Sequence, residues 1–400
     1  MIFFALFAFI LAVQLLHWRV LRRISVDALR PWLPWLLLAL HVPLILFFAL
    51  RFTGNTTHGF GHALRPFARL GFYFQAFTAM HLAILAAAEG LWWWRTRHRL
   101  PPLESEEEAE EEAHDPARRA FLRKVAGAGF GAAAAGVAYG SSRAYFDPAI
   151  TRLQLEFEDL PPAFDGLRLV QLSDLHVGPL VGPGSIERWR RLTLQESPDL
   201  ILLTGDVVDS QPEEAEPFLE AFRTVPAPLG RFAILGNHDY FTDPAPIWAG
   251  LEASGWRCLE NAHALLERGG SQLAVMGLQD PQAPNGRFRG VPFGVGPSFI
   301  SASRGVPEHA WKLCLSHRPD DWDLARLAGA RLTLSGHTHG GQINLIPGLN
   351  SARFLGPYTG GQYRQGRDVL YVSRGLGVVA LPLRIGADPE FVVITLKRKV

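Results

Sequence analysis

The sequence predicts an α/β domain over residues 151–400, preceded by a helical transmembrane region. Three observations lead to this fold class. The 400-residue chain is 48% hydrophobic and only 19% charged, whereas a soluble globular chain carries about 25% charged residues. The N-terminal third contains long stretches that are almost free of charge. After about residue 150, short apolar runs alternate with loops and helical stretches, a pattern typical of buried strands and the helices that cover them.

Residues 1–100 contain three long apolar stretches, which we predict to be three transmembrane helices. They run over about 1–16, 32–50 and 70–94. A spanning helix needs about 20 mostly apolar residues, and the Trp92-Trp93-Trp94 cluster in the third stretch is typical of the boundary between hydrocarbon and headgroups. Buried core helices are the alternative interpretation, which the length and low polarity of these stretches disfavour.

The next segment, residues 101–117, is predicted to be an acidic cytoplasmic linker. It opens on Pro101-Pro102, which stops a helix, and it contains the Glu-rich run from Glu104 to Glu112. Neighbouring like charges repel one another and favour a solvated chain.

Residues 118–140 combine a basic start with a mildly apolar, Ala- and Gly-rich stretch. Arg118-Arg119 is followed by Phe121-Leu122 and two further basic residues, and this order resembles a twin-arginine translocation signal. We favour an uncleaved fourth transmembrane segment, with the twin-arginine translocase as a candidate partner during export. The alternatives, an ordinary membrane helix or a cleaved signal, stay open.

The distribution of basic residues predicts the orientation. The loops after the first and third predicted helices contain eleven Lys and Arg, against three in the loop after the second. Loops rich in Lys and Arg stay in the cytoplasm. The sequence therefore predicts a multi-pass protein of a bacterial inner or cell membrane, with residues 151–400 on the outer face.

Eight short apolar runs in the C-terminal region predict strands that are buried on both faces. They are Leu167–Leu172, Leu200–Leu203, Phe232–Leu235, Leu273–Met276, Leu313–Leu315, Leu332–Leu334, Val369–Val372 and Phe391–Leu396. Helices are expected between them, at Ile186–Leu194, Pro217–Thr224 and Asp321–Leu327.

Five of these runs are followed at once by polar residues that can bind metal ions. The sequences are Asp174-Leu175-His176, Gly205-Asp206, Gly236-Asn237-His238-Asp239, Ser316-His317 and Gly336-His337-Thr338-His339. In open α/β sheets, ligands bind at the carboxyl ends of the strands. Any one of these pairs alone would be an ordinary hydrogen bond, but five in order, each after an apolar run, predict one site.

The chemistry of these side chains indicates the kind of ion. Carboxylate, amide and imidazole groups suit Mn, Fe, Zn or Ni, and Cu(I) would require thiolates. Two carboxylates, one amide and four imidazoles exceed the needs of one tetrahedral ion. They suit two ions that share a carboxylate, about 3.5–4 Å apart.

The ordered set D-x-H, G-D-x-x-D, G-N-H-D, a lone His and G-H-x-H resembles the motifs of the calcineurin-like metallophosphoesterases. The longer Gly336-His337-Thr338-His339-Gly340-Gly341-Gln342 and Val372-Ser373-Arg374-Gly375-Leu376-Gly377 resemble its membrane-linked YkuE/YaeI-type branch. The resemblance implies a double β-sheet sandwich flanked by helices. It also implies a hydrolase that cleaves a phosphoester or pyrophosphate bond with a metal-activated water.

The resemblance also implies a role for each motif residue. Asp174, His176 and His339 would bind one ion, Asn237, His317 and His337 would bind the other, and Asp206 would bridge them. His238 would act as a general acid or stabilise charge in the transition state, and Asp239 would orient it. Asp209 is assigned either to the surroundings of the site or to a purely structural role.

The substrate is the least determined part of the sequence interpretation. The membrane anchor favours a lipid-linked phosphate, such as a phospholipid or a UDP-diacylglucosamine-like molecule, and Arg374 and Arg384 are candidate phosphate contacts. Residues 151–400 carry 24 Lys and Arg against 27 Asp and Glu, which argues against a nucleic-acid partner. A non-catalytic binding module on a membrane anchor is the alternative function.

The chain contains two cysteines, Cys258 and Cys314. Their number excludes a disulfide scaffold. A single disulfide and two buried thiols both remain open, because Cys314 lies in a predicted buried strand.

Overall fold

The structure is a computed structural model that describes residues 15–19, 59–96, 116–282, 286–288, 291–293, 296–345 and 349–399. The chain forms two compact units, Met1–Gly140 and Ser141–Val400. Nearly all of the first predicted transmembrane helix, the whole of the second, and linker residues 101–115 lie outside the described residues.

Two long helices, α1 (Gly59–Thr96) and α2 (Pro116–Tyr145), account for most of the described part of the first unit. Within α1, Leu70–Thr96 is long and apolar enough to cross a membrane, and it is the one such helix among the described residues. It covers the third predicted span. Near its end, Glu89 forms an ion pair with Arg118 of α2, which offsets the cost of an acidic group in an apolar segment.

Helix α2 extends beyond the predicted fourth segment, residues 118–140, at both ends. It begins at Pro116, a residue whose fixed φ suits the first turn of a helix, and the last two residues of the predicted linker are therefore already helical. Its last turn belongs to the second unit, where Arg143 forms an ion pair with Asp388.

The second unit contains two six-stranded sheets. The first has the order β1-β14-β2-β3-β4-β5 and the second β12-β13-β11-β10-β7-β6, while β8 and β9 form a separate hairpin. The strands are β1 Ala149–Phe157, β2 Arg168–Leu172, β3 Leu200–Thr204, β4 Gly230–Ile234, β5 Arg257–Cys258, β6 Ala262–Arg268, β7 Ser271–Gly277, β8 Gly286–Phe288, β9 Val291–Phe293, β10 Trp311–Leu315, β11 Leu332–Ser335, β12 Gly361–Gln365, β13 Asp368–Val372 and β14 Glu390–Arg398.

Short helices fill the connections between the strands. They are α3 Pro183–Glu196, α4 Glu216–Phe222, α5 Asn237–Tyr240, α6 Pro244–Ala253, α7 Phe299–Ser303 and α8 Trp322–Leu327, with 3-10 turns at Pro162–Phe164, Pro212–Ala215, Pro319–Asp321, His339–Gly341 and Ser351–Phe354.

The two sheets pack face to face around one apolar core. Leu200 and Leu202 of β3 contact the same cluster as Leu313 of β10 and Leu332 of β11. Ile201, between the two β3 leucines, points to the opposite face and is also fully buried. Burial of both faces explains the largely apolar runs, since a buried polar side chain is costly unless it is hydrogen-bonded.

The outer face of the second sheet is covered by small residues of two helices. Ala302 of α7 and Ala325 of α8 pack with Met276 of β7 and Cys314 of β10. Small side chains let the helices approach the sheet closely, so helix and sheet form a continuous packed layer.

The predicted fold class is confirmed: the domain is an α/β double sheet flanked by helices, and each of the eight predicted runs forms or overlaps a strand. Strand β1 begins at Ala149, just before the predicted start of the domain at residue 151. It pairs in parallel with β14.

Both cysteines are thiols. The disulfide alternative is therefore wrong.

Candidate metal centre

The residues predicted to bind metal ions follow five parallel strands. Strands β2, β3 and β4 are neighbours in the first sheet, and β10 and β11 are neighbours in the second. A contact between the sheets joins the two sets of strand ends, since the His317 ring Nδ1 lies 2.8 Å from the backbone oxygen of Thr204. The carboxyl ends of all five strands thus surround one buried site.

The backbone at this site adopts an unusual conformation. Positive φ values of 45–70° occur at Asp174, His176, Asp206, His337 and His339, five of the nine non-glycine residues with positive φ in the described part of the chain. Left-handed backbone costs energy for residues with a Cβ atom and is concentrated at functional sites. These turns direct the side chains back across the strand ends.

Glycine is required beside two of the acidic residues. A Cβ atom on Gly236 would lie 2.3 Å from Asp206 Oδ1, and one on Gly336 would lie 2.2 Å from Asp174 Oδ2. Both separations are far below van der Waals contact, so any larger residue would displace the carboxylate.

The first cluster of possible ligand atoms contains Asp174, His176 and His339. The Nε2 atoms of the two histidines are 2.9 Å apart, and Asp174 Oδ1 lies 3.6 Å from His339 Nε2. All three residues are buried. Two ring nitrogens and a carboxylate oxygen therefore converge on one point.

The second cluster contains Asp206, His317 and His337. His317 Nε2 lies 3.3 Å from Asp206 Oδ2 and 3.1 Å from Asn237 Oδ1. The same Asp206 Oδ2 lies 3.5 Å from His176 Nε2. One carboxylate oxygen is thus close to a nitrogen atom of both clusters.

The electrostatics of the clusters suit cations. Burial lowers the pKa of His176 and of His337 to about 3, and burial together with the Arg384 charge holds the pKa of His339 well below its ordinary value. These rings are therefore neutral, the form that binds metals.

The remaining charges at the site are dominated by Asp206. Its burial opposes ionisation, but the nearby His317 and His238 rings outweigh that effect and hold its pKa well below its ordinary value. Although burial opposes protonation of His317, the Asp206 carboxylate raises the pKa of that ring to about 10. A bound cation would compete with this proton, as it does at other histidine ligands. The donor set fits divalent metal ions.

His238 belongs to a third group of possible ligand atoms, together with His176 and Asp206. Its ring lies edge-on to that of His176, with centroids 4.5 Å apart, and its Nδ1 lies 2.7 Å from the backbone oxygen of Asp209. A carbonyl oxygen accepts only, so Nδ1 donates and Nε2 points elsewhere. Asp209 therefore orients His238 through its backbone.

The carboxylate of Asp239, which the sequence predicts to orient His238, forms its hydrogen bonds with the backbone. Oδ1 accepts hydrogen bonds from the N–H groups of Val207 and Val208, at 2.9 and 3.1 Å, and Oδ2 accepts one from Gly236 at 2.9 Å. Asp239 thus ties the turn after β3 to the start of α5, where Asn237 and His238 lie.

The two arginines proposed as phosphate contacts also have other partners. Arg384 is fully buried and donates to the carbonyl groups of Gly377 and His339, with its Nη2 atom 3.0 Å from His339 Nδ1. Arg374 forms an ion pair with Glu390. Sequence reasoning missed the contact of Arg384 with His339, since an arginine 45 positions further along the chain gives no sequence signal.

We predict that Asp239→Asn destabilises the fold. An amide can offer one oxygen, so its NH2 group would face one of the three N–H donors, and a buried donor left unpaired costs about 1–3 kcal/mol. The melting temperature of the full chain, measured by calorimetry, should fall. Asp165→Asn is the matched control, because Asp165 also accepts a backbone N–H, from Arg398, but at an exposed position. An unchanged melting temperature for Asp239→Asn would contradict this structural role.

Comparison with known proteins identifies the family. The sequence profile of the calcineurin-like phosphoesterases matches residues 167–341. The Bacillus subtilis protein YkuE, described as an uncharacterised metallophosphoesterase, is 34% identical over 300 residues, which cover 70% of this chain and 97% of YkuE.

Two further relatives extend the comparison. A zebrafish transmembrane protein with a metallophosphoesterase domain is 32% identical over 65% of this chain, although the match covers only 60% of the zebrafish protein. An uncharacterised metallophosphoesterase of Aquifex aeolicus is 27% identical, and the match covers 96% of its length. The motif set, the two clusters of ligand atoms and these matches all agree. The chain belongs to the calcineurin-like phosphoesterases, a family of metal-dependent phosphoester hydrolases.

Proposed function

We propose that the chain is a membrane-anchored phosphohydrolase that uses two metal ions. The observation that carries this proposal is the position of Asp206 Oδ2, 3.5 Å from His176 Nε2 on one side and 3.3 Å from His317 Nε2 on the other. A carboxylate between two sets of candidate ligands is the arrangement that a two-metal hydrolase uses.

The proposed ligand assignment follows the two clusters. Asp174, His176 and His339 hold one ion, while Asn237, His317 and His337 hold the other. Asp206 contributes to both. When bound, such ions supply Lewis acidity toward phosphoryl oxygens and an activated water.

In this proposal His238 acts on the leaving group. Burial opposes its protonation, but the Asp206 and Asp209 charges outweigh that effect and raise its pKa. The bond from Nδ1 to the Asp209 carbonyl fixes the ring and leaves Nε2 to carry a proton toward the departing oxygen. General acids of this kind contribute about 10²–10⁴-fold to the rate.

A lipid-linked phosphate is the proposed substrate class. Apolar side chains are exposed on the segment that follows the 3-10 turn His339–Gly341, with Leu345 57%, Leu349 53% and Phe354 90% exposed. The Ser351 hydroxyl donates to the backbone oxygen of Gly341 at 2.7 Å, which keeps this segment close to the centre. Exposed apolar side chains beside a site favour an apolar part of the ligand.

The alternative function, a non-catalytic binding module, is less well supported. Six of the seven proposed ligands fall in groups of His and Asp atoms that lie within 4.8 Å of one another, and the seventh, Asn237, lies 3.1 Å from His317, which supports a catalytic site. A module that only binds would not need His238 fixed beside these clusters.

We predict that the purified full chain in detergent hydrolyses phosphate esters or anhydrides after reconstitution with Mn, Fe, Zn or Ni. The panel should contain monoesters, diesters and pyrophosphates, each in soluble and diacyl form, and elemental analysis should give close to two metal equivalents. Asp206→Asn should weaken both metals and abolish turnover, whereas His337→Ala should mainly remove one ion. One tight equivalent with full activity would sink the two-metal proposal.

We predict that His238→Gln keeps both metals but lowers turnover on substrates with poor leaving groups by about 10²–10⁴-fold. Aryl phosphates with good leaving groups should suffer less, because they need less protonation. His263→Gln is the control, since His263 Nδ1 also lies near a backbone oxygen, that of Ala302 at 2.9 Å, but outside the site. If His238→Gln lost metal, that result would instead indicate that His238 is a metal ligand.

We propose a topology of four transmembrane segments with the catalytic domain on the outer face. A reporter that is active only outside the membrane, fused after Val400, should be active. Replacing Arg118 and Arg119 by Lys keeps the charge but removes the twin-arginine signal, so it should retain the domain in the cytoplasm. If this variant were exported normally, the two arginines would act only as signals for membrane orientation. If only a reporter that is active in the cytoplasm gave a signal, the catalytic domain would lie on the inner face and the proposed topology would be wrong.

A further inference from the structure

We propose that Arg318 binds a non-bridging oxygen of the substrate's phosphoryl group and makes the site prefer dianionic phosphomonoesters to monoanionic phosphodiesters. This inference rests on the proposed function and names a specificity-determining residue for it. Arg318 follows His317 directly, at the end of β10, so the turn that positions a proposed ligand also positions a permanent cation.

A buried carboxylate holds the guanidinium group of Arg318 in place. Arg318 Nε donates to Asp280 Oδ2 at 2.8 Å, and Nη2 lies 3.4 Å from Asp280 Oδ1. The Asp280 side chain is fully buried. When a carboxylate already holds one edge of the planar guanidinium group, the side chain loses little further conformational entropy as its other edge binds a ligand.

The other edge of the fork faces the metal centre. Arg318 Nη1 lies 3.3 Å from His337 Nε2, and the Arg318 side chain is 25% exposed, so a ligand can reach it. Of the five N–H groups of a guanidinium, three have these partners within the described part of the chain. Two donors remain beside a proposed metal ligand.

The chemistry of these donors selects a phosphoryl oxygen. Arginine matches phosphate in shape and charge, and a charge-assisted hydrogen bond is stronger when the acceptor carries more charge. A monoester dianion has one more negative charge than a diester monoanion, and it also has one more unesterified oxygen. Arg318 therefore contributes more to binding the monoester.

A purely structural role for Arg318 predicts something different. Asp280 is buried, and its charge would be uncompensated without the arginine. If neutralising Asp280 were the only role of Arg318, then removing both charges together would restore the protein. A double variant therefore separates the two roles.

The experiment compares Arg318→Gln with the unchanged full chain, both in detergent and reconstituted with metal. The two substrates are p-nitrophenyl phosphate and bis-p-nitrophenyl phosphate, which share one leaving group and differ in charge. We expect kcat/KM for the monoester to fall about 10–100-fold, the usual effect of losing a charged hydrogen bond, and that for the diester to fall by less than about threefold. The dissociation constant for inorganic phosphate should rise by about the same factor as for the monoester.

Two further variants complete the design. Arg318→Gln combined with Asp280→Asn should recover the melting temperature but should keep the monoester defect and the weak phosphate binding. Arg331→Gln is the matched control, because Arg331 pairs with Asp368 at the opposite end of β11 and should leave the preference unchanged. Metal content, measured in each variant, should stay at the level of the unchanged chain.

Three results would overturn the proposal. They are an equal loss on both substrates, recovery of monoester hydrolysis in the double variant, and unchanged affinity for inorganic phosphate in Arg318→Gln. Phosphate binding to the metal-loaded chain does not need turnover. A chain that binds phosphate through Arg318 but hydrolyses none of the panel would therefore contradict the proposed function and not the role of Arg318.

Discussion

The Asp206 carboxylate is the group on which the rest of the site depends. It is buried at the junction of the two sheets, and one of its oxygens lies within 3.5 Å of histidine nitrogens from both clusters. A buried carboxylate is expensive unless it is compensated by positive charge or by hydrogen bonds. Its other oxygen accepts a hydrogen bond from the His238 backbone N–H at 2.8 Å. The turn that presents Asp206 is therefore held by the turn that presents Asn237, and the two ligand loops cannot move independently.

The backbone of the proposed metal ligands is strained, and the packing of the surrounding strands holds it in this conformation. Five of the proposed ligands have left-handed backbone, which costs of order 1–3 kcal/mol at each residue. Such turns persist because each follows directly from a strand whose two faces are buried, so the chain cannot relax without disturbing the core. Asp239 adds a second restraint through its three backbone hydrogen bonds. Stability and function are thus coupled here, since the groups that stiffen these turns also fix the positions of the ligands.

The sequence predicts the central strands well and their surroundings poorly, for physical reasons. Strands such as β3 are buried on both faces, so their composition reveals them, and the polar residues after them mark the site. Strand β12 escapes prediction because it lies at a sheet edge and is largely solvent-facing. The hydrogen-bond partners of His238 and Asp239 depend on loop conformation. Every residue has a backbone carbonyl, so the sequence does not indicate that the carbonyl of Asp209 binds His238. Arg318 is visible in the sequence, but its contact with Asp280, 38 positions away, is not.

The last turn of α2 and the loop before β14 form one connected set of charges within the second unit. Arg143 pairs with Asp388, whose backbone oxygen accepts a hydrogen bond from Arg374 at 3.2 Å. Arg374 in turn pairs with the buried Glu390. The same loop carries Arg384, whose Nη1 donates to the His339 backbone oxygen at 2.8 Å. Because these contacts are continuous, the segment that enters the domain from α2 and the turn that presents His339 are braced against the same loop. The position of that ligand is therefore tied to the end of the helix as well as to the sheet.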